Sequence, residues 1–335
     1  MTSSTSHSNA RVPGLAFKLL LVAMVAWAVC AVYSVWLNPE VRFYTALSRI
    51  QDAWSRKMEL AYTNKVVVYG GSSCTFSIDG EQMLRDYNLP TVNRGLAAGF
   101  GVKIPTLNAL KDLKRGDTLI VALEPGQLTD STEPTALATQ FSYAVGHPGW
   151  TTKPMLKMPA IGRVSSLLAL RPGSYHFLTL IGKLVQGRPL YRYDVTNAHP
   201  SGWMTTEVRL PIDGPPGHGD YLSDDVKRFL PTLRDWCTER GVRVAYSLPW
   251  AYCPTEKIET FQRHNAATLL KVAEFLPVLK DQSLGANPDV ALFADTGWHF
   301  TAAGATLRTA DLGVAIQKWN TWSHEELEKA AGGEH

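Results

Sequence analysis

The longest uninterrupted pattern in the chain is apolar. Leu19 to Leu37 reads LLLVAMVAWAVCAVYSVWL, nineteen residues without a charge, and as a helix rising 1.5 Å per residue it nearly spans a bilayer core. The expectation is a transmembrane helix over 19–37. A buried soluble helix would carry a polar face. A cleavable signal peptide would have an apolar region of about 7–15 residues closing on small residues, whereas Trp36 and Leu37 close this one. Bulky Val29 precedes Cys30 where lipoprotein processing requires a small residue, so Cys30 reads as lipid-facing or packed. After Pro39 the apolar positions Phe43, Leu47, Ile50, Trp54 and Met58 recur every three or four residues, the spacing of one helical face. They predict a juxtamembrane helix within 39–64, its stripe docked on the protein's own domain or offered to a partner.

From residue 65 short apolar runs alternate with helical patterns. Val66–Tyr69, Thr91–Asn93, Thr118–Leu123 and Val242–Ser247 read as strands. Helices are expected at Thr75–Asp86, Pro105–Leu113, Asp224–Arg240, Glu256–Phe275 and after Ala302. Alternating β and α units imply a mainly parallel sheet covered by helices, a three-layer αβα domain over 65–320. The stretch 126–220 breaks the pattern with frequent Pro and Gly and reads as an irregular insertion capping the sheet. Residues 321–335, the charged SHEELEKA segment and a Gly-Gly end, read as a C-terminal tail.

The formal charge of the 335-residue chain is only +3, and its Lys and Arg are scattered, which excludes the basic stripe of a nucleic-acid binder. Arg11 and Lys18 precede the apolar span without an acidic partner, while Glu40 and Arg42 after it cancel. The positive-inside rule then makes 1–18 a cytoplasmic tail and puts everything beyond about residue 39 outside the cytoplasm. In an oxidising compartment Cys237 and Cys253 could pair while Cys74 stays alone, but sequence leaves the connectivity open.

Two segments carry candidate chemistry. In VVVYGGSSCTFSID (Val66–Asp79) a buried strand ends at Gly70-Gly71-Ser72 just before a helix. Ligands of parallel sheets bind beyond the carboxyl ends of the strands, and glycines with a helix N-terminus favour an oxyanion there. Ser72 is therefore a candidate nucleophile if a base is in reach; the alternative is that Ser72, Ser73 and Thr75 only cap the helix. In DTGWHFTAAGA (Asp295–Ala305) one loop holds a carboxylate and an imidazole, the pair that a triad needs to take the nucleophile's proton and orient the base. The alternative there is a structural His and a turn-forming Asp.

Taken together, Gly70-Gly71-Ser72 and the Asp295/His299 loop resemble the SGNH/GDSL hydrolase family. In that family a serine follows the first strand, and Asp and His share a loop near the C-terminus. The resemblance implies Ser72 as nucleophile, His299 as base and Asp295 as its orienting acid. The segment Asn93-Arg94-Gly95-Leu96-Ala97-Ala98-Gly99 is similar to the family's second block, so the Ser72 N–H with that of Gly99 or Gly95 is the implied oxyanion hole. Two features depart from the family pattern. The third strand ends in Leu123-Glu124-Pro125 where the family usually offers a donor Asn, and a carboxylate donates only when protonated. The Asp295–His299 spacing is also one residue longer than the family's DxxH. Glu124 and Asn93 remain candidate substrate contacts.

The insertion adds Tyr191-Arg192-Tyr193-Asp194, Asn197, His199 and Trp203, rings and polar groups suited to a sugar or simply the cap's own core. His147, His199 and His218 lack metal-ligand spacing, no Lys-Ser/Thr pair makes Gly70-Gly71 a phosphate loop, and no cofactor is implied. The expectation is a serine esterase or O-acyltransferase in the bacterial inner membrane, facing the periplasm or exterior. The resemblance implies action on acyl esters, acetyl above all, of envelope or secreted polysaccharide, and adds a multi-spanning membrane acyltransferase as a partner. The competing expectation is a degenerate, non-catalytic polysaccharide-binding or assembly protein.

Overall fold

A computed structural model describes residues 11–332 except 173, 207, 213, 216, 218 and 282. The start of the expected cytoplasmic tail, residues 333–335 of the C-terminal tail, and His218 lie outside the described residues. Helix α1 (Arg11–Val32) continues through a π-helical turn at Tyr33–Leu37. Residues Gly14–Leu37 are long and apolar enough to cross a membrane, so the stretch begins before the expected Leu19. Asn38 interrupts the run: its side chain accepts the Glu40 N–H at 3.1 Å and caps α2 (Pro39–Ala61), with Pro39 in the first turn.

Along α2 the stripe Phe43, Leu47, Trp54 and Met58 is buried against the chain's own domain. Polar stitches lie between these rings. Trp54 Nε1 donates to Thr91 O at 2.8 Å, and Gln51 Nε2 donates to Gly95 O at 3.1 Å and Gly202 O at 3.3 Å. The docked reading of the stripe is the one observed.

Then follow β1 (Val66–Gly70), α3 (Ser72–Thr75), α4 (Gly80–Tyr87), β2 (Thr91–Asn93), α5 (Lys103–Leu110) and β3 (Thr118–Ala122). The insertion supplies α6 (Pro125–Thr129), α7 (Ala136–Ala144), α8 (Gly149–Thr152), α9 (Arg163–Leu168) and α10 (Ser174–Val185), and few regular elements after that. The domain resumes with α11 (Asp224–Glu239), β4 (Arg243–Tyr246), β5 (Ala251–Tyr252), α12 (Ile258–Ala273), β6 (Ala286–Asn287), α13 (Ala302–Lys318) and α14 (His324–Ala330).

The four-stranded sheet runs β2-β1-β3-β4 with every pair parallel, and β5 pairs β6 in a separate parallel pair. Each residue of β1 and β3 is buried, as apolar central strands of a parallel sheet require. Successive side chains alternate between faces. Val67, Tyr69, Leu119, Val121 and Tyr246 enter one core with Trp54, Phe229 and Leu269 of α2, α11 and α12. Val66, Val68, Ile120, Ala122 and Ala245 enter another with Met83 of α4 and Leu312 and Ile316 of α13.

Two expectations change and one open question closes. The helix expected at Thr75–Asp86 is two, because the Asp79 carboxylate accepts the Glu81 N–H at 2.8 Å and starts α4 afresh. Cys237 and Cys253 do not pair: all four cysteines are free, and burial pushes the Cys237 thiol up to about 12. Part of the expected tail is α14, started by a reciprocal Ser323/Glu326 cap and held by buried Leu327.

Candidate active site

The chain leaves β1 for β2 on one side and later reaches β3 on the other, so the β1/β3 boundary is the point where connections diverge, the usual crevice of open parallel sheets. Register sets what faces this crevice. Gly70 pairs with Ala122, so Ser72 and Glu124, each two residues beyond its strand, come together. The Ser72 hydroxyl donates to Glu124 Oε1 at 3.3 Å, and the Ser73 N–H donates to the same oxygen at 3.0 Å. A Cβ at Gly71 would stand 2.5 Å from Glu124 Oε1 and 2.9 Å from Gln127 Oε1, so only glycine lets this carboxylate lie over the turn. Glu124 is itself held: its N–H donates to Gln127 Oε1 at 3.0 Å.

The second loop is tied at its base by an antiparallel bridge between Phe293 and Phe300 and inside by Thr296 Oγ1, which accepts the N–H groups of Trp298 and His299, each at 3.2 Å. His299 Nδ1 lies 2.8 Å from Asp295 Oδ1, and the carboxylate assigns the proton to Nδ1. Nε2 is thereby left as the acceptor nitrogen, the tautomer a general base needs. The imidazole stacks on Phe76, with centroids 4.4 Å apart and planes 24° apart. Phe76 closes the turn that Ser72 opens, its N–H donating to Ser72 O at 3.0 Å. The two sequence segments thus meet through His299 and Phe76, while the Ser72 hydroxyl itself is directed at Glu124.

The insertion completes the acid's surroundings in a way sequence did not suggest. Tyr193 donates its hydroxyl to Asp295 Oδ2 at 2.8 Å, Arg192 donates to the same oxygen at 3.0 Å, and the Tyr193 oxygen lies 3.1 Å from His299 Nδ1. Burial pushes the Asp295 carboxyl up, but the bonds from His299, Tyr193 and Arg192 outweigh it and hold the group at about 2. Burial and the neighbouring carboxylate raise the Tyr193 phenol well above its ordinary value. Tyr191 and Tyr193 pack with Phe43 and Phe76 in an aromatic cluster, and His199 stacks on Trp203 at 4.2 Å. No spacing rule could have joined residues 192 and 193 to residue 295; only the unusual Tyr-Arg-Tyr density hinted at a role.

No family model matches the chain, nor does any curated protein or solved structure. What this site can do is therefore argued from its own geometry.

The remaining candidates divide. Asn93 is fully buried and committed: Nδ2 donates to Cys74 O and Ile78 O, both at 2.9 Å, and Oδ1 accepts the Gly95 N–H at 2.8 Å. It is a clasp of the β1–α3 turn, out of a substrate's reach, which corrects its expected role as a contact. The same bond occupies the Gly95 N–H, so that group is not a spare oxyanion donor. The glycine itself is required because a Cβ there would stand 2.4 Å from Thr75 N. Gly99 lies exposed in a one-turn 3-10 helix, Ala98–Phe100. Cys74, two residues after Ser72, is buried in the sheet's second core, and burial raises its thiol far from reactivity.

Among the described residues no group of three or more His, Cys, Asp or Glu could hold a metal ion. A cavity of about 660 Å³ opens between the end of the apolar helix and the insertion, lined by Trp36, Arg42, Arg49, Tyr191, Arg192 and Tyr193 among others. It shares Arg192 and Tyr193 with the Asp295 clamp, but Ser72, Glu124 and His299 do not line it. Ser72 and Glu124 lie beyond the ends of β1 and β3, and the cavity is a neighbour of that crevice.

Proposed function

We propose that the protein is a membrane-anchored serine esterase or O-acyltransferase of SGNH type, with a three-layer αβα domain outside the cytoplasm. The observation that carries the reading is the His299–Asp295 pair at 2.8 Å, clamped from behind by Tyr193 and Arg192 and stacked on the turn that Ser72 opens. The reading requires Ser72 Oγ to leave Glu124, to which it is bonded at 3.3 Å, for His299 when substrate binds. Nε2 then takes the hydroxyl proton as Oγ attacks the ester carbonyl, and Asp295 stabilises the imidazolium. The oxyanion donors of this reading are the backbone N–H groups of Ser72 and Gly99. Collapse expels the alcohol, which takes the proton from His299. Water, or a sugar hydroxyl in a transferase, resolves the acyl-enzyme with the same base.

The substrate class in this reading is the acyl, especially acetyl, esters of envelope or secreted polysaccharide, and the setting is the bacterial inner membrane with the N-terminus cytoplasmic. A multi-spanning acyl carrier is the partner a transferase would need. The Ser72–Glu124 bond favours a second reading, because a carboxylate beside the nucleophile opposes negative charge on the reacting oxygen. In it the site is degenerate and the domain binds polysaccharide or serves envelope assembly.

The full chain in detergent, exposed to a fluorophosphonate probe and to p-nitrophenyl acetate, separates the two. Catalysis requires labelling that Ser72→Ala abolishes and His299→Ala slows. Absence of labelling, or equal labelling of Ser72→Ala, selects the binding reading. Transfer is read as acyl groups reaching an oligosaccharide acceptor faster than water.

A further inference from the structure

The insertion carries a surface that the catalytic reading leaves unused. On α10, Leu178, Ile181, Leu184 and Val185 are 58–82% exposed, and with Phe177 they recur at three- and four-residue spacing along one face. Val164, Leu167 and Leu168 of neighbouring α9 are also exposed. Exposed apolar helix faces of this kind mark a contact with another phase or molecule.

What covers it is indicated by where the two helices are fastened. Trp27 Nε1 of α1 donates to Leu167 O at 3.0 Å, and Leu170 is buried against Ala31 and Val35. Tyr33 OH lies 2.9 Å from His176 Nε2, and its ring packs on Phe177 with centroids 5.2 Å apart. Trp27 stands ten residues before Leu37, the end of the apolar stretch, roughly 15 Å along the helix axis. A segment bonded to Trp27 therefore sits below the level at which the apolar helix ends, within the thickness that lipid would occupy. Exposed Arg163, Arg171 and Arg188 stand at or just beyond the ends of the two helices in sequence, the kind of placement in which long cationic side chains reach lipid headgroups while apolar neighbours enter the acyl region.

We propose that α9 and α10 are a second, non-spanning membrane contact, lying in the headgroup–acyl boundary of the leaflet from which α1 emerges. The proposal rests on α1 spanning the bilayer. The insertion then has two attachments, one to the lipid through α10 and one to Asp295 through Arg192 and Tyr193.

The test uses the full chain with Cys30→Ser as background, since Cys74, Cys237 and Cys253 are buried. Single cysteines replace Ile181, Val185, Leu20 within α1, and Leu60, which is 89% exposed at the far end of α2. Each variant is labelled with an environment-sensitive fluorophore and reconstituted alone into phosphatidylcholine–phosphatidylglycerol vesicles carrying nitroxide lipids. The expected result is lipid quenching several-fold stronger at Leu20→Cys, Ile181→Cys and Val185→Cys than at Leu60→Cys. Quenching at Leu20→Cys with Ile181→Cys and Val185→Cys indistinguishable from Leu60→Cys overturns the proposal while leaving the span intact, and passes the patch to a protein partner. An unquenched Leu20→Cys overturns the span and the proposal with it.

Discussion

Asp295→Asn tests the clamp around the acid. The buried carboxyl stands at about 2 against an ordinary 3.8. A group depressed on folding stabilises the native state at pH above its unfolded value, and that stabilisation is lost as pH falls through its folded value. From these two values the contribution works out at roughly 2 kcal/mol at pH 5 and about 1 kcal/mol at pH 3, taking about 1.36 kcal/mol per pH unit. Asparagine does not titrate, so its steric and hydrogen-bonding penalties form a constant offset. The stability difference between wild type and Asp295→Asn should therefore shrink by roughly 1 kcal/mol from pH 5 to pH 3, a range below the ordinary titration of histidine. Urea unfolding of both proteins in the same detergent, followed by tryptophan fluorescence at half-unit pH steps, gives the difference directly. A difference that stays level, or widens towards acid, would refute the claim that Tyr193, Arg192 and His299 hold this carboxylate ionised.

Three further outcomes are expected. Gly71→Ala places a methyl 2.5 Å from Glu124 Oε1 and should cost about 1–3 kcal/mol as the carboxylate and Gln127 are pushed away, read as a lowered urea midpoint. Glu124→Gln exchanges the carboxylate beside Ser72 for an amide that can donate, and should raise the rate of fluorophosphonate labelling by roughly tenfold or more if the site is catalytic; an unchanged rate removes Glu124 from the chemistry. Arg94, fully buried, is paired with Asp52 at 2.7 Å and with Asp112. Arg94→Met should destabilise by about 3 kcal/mol or more by leaving the largely buried Asp112 without its partner, while Asp52 keeps Lys111 at 2.9 Å; this is measured again by urea unfolding, with Arg85→Met at an exposed ion pair as the neutral control.

The parts of this fold legible in the chain are those in which local pattern and burial agree. Val66–Gly70 and Thr118–Ala122 are β-branched and apolar on both faces, and nothing competes with a central strand there. The α2 stripe was visible because Phe43, Leu47, Trp54 and Met58 keep helical phase throughout. The single helix expected over Thr75–Asp86 failed where one local bond, Asp79 to Glu81 N, restarted the backbone. Helix α14 was hidden by its charge, although the Ser323/Glu326 cap was there to be read. Within the site, Ser72 and the Asp295/His299 loop announced themselves as strand-end and same-loop residues. Glu124 could be named but its contact could not, because that follows from the pairing register of β1 with β3. The reach of Arg192 and Tyr193 to Asp295 is a tertiary contact with no periodic signature at all.

The junction at Asn38 has a mechanical consequence. Helical structure resumes at the very next residue, and the 23 residues of α2, roughly 34 Å long, are bonded sideways into the domain through Gln51, Trp54 and Asp52. Such a connection behaves as a stiff post and not as a leash. With α1 in a bilayer, the strand-end crevice keeps one altitude above the lipid, so whatever it meets must arrive at that height.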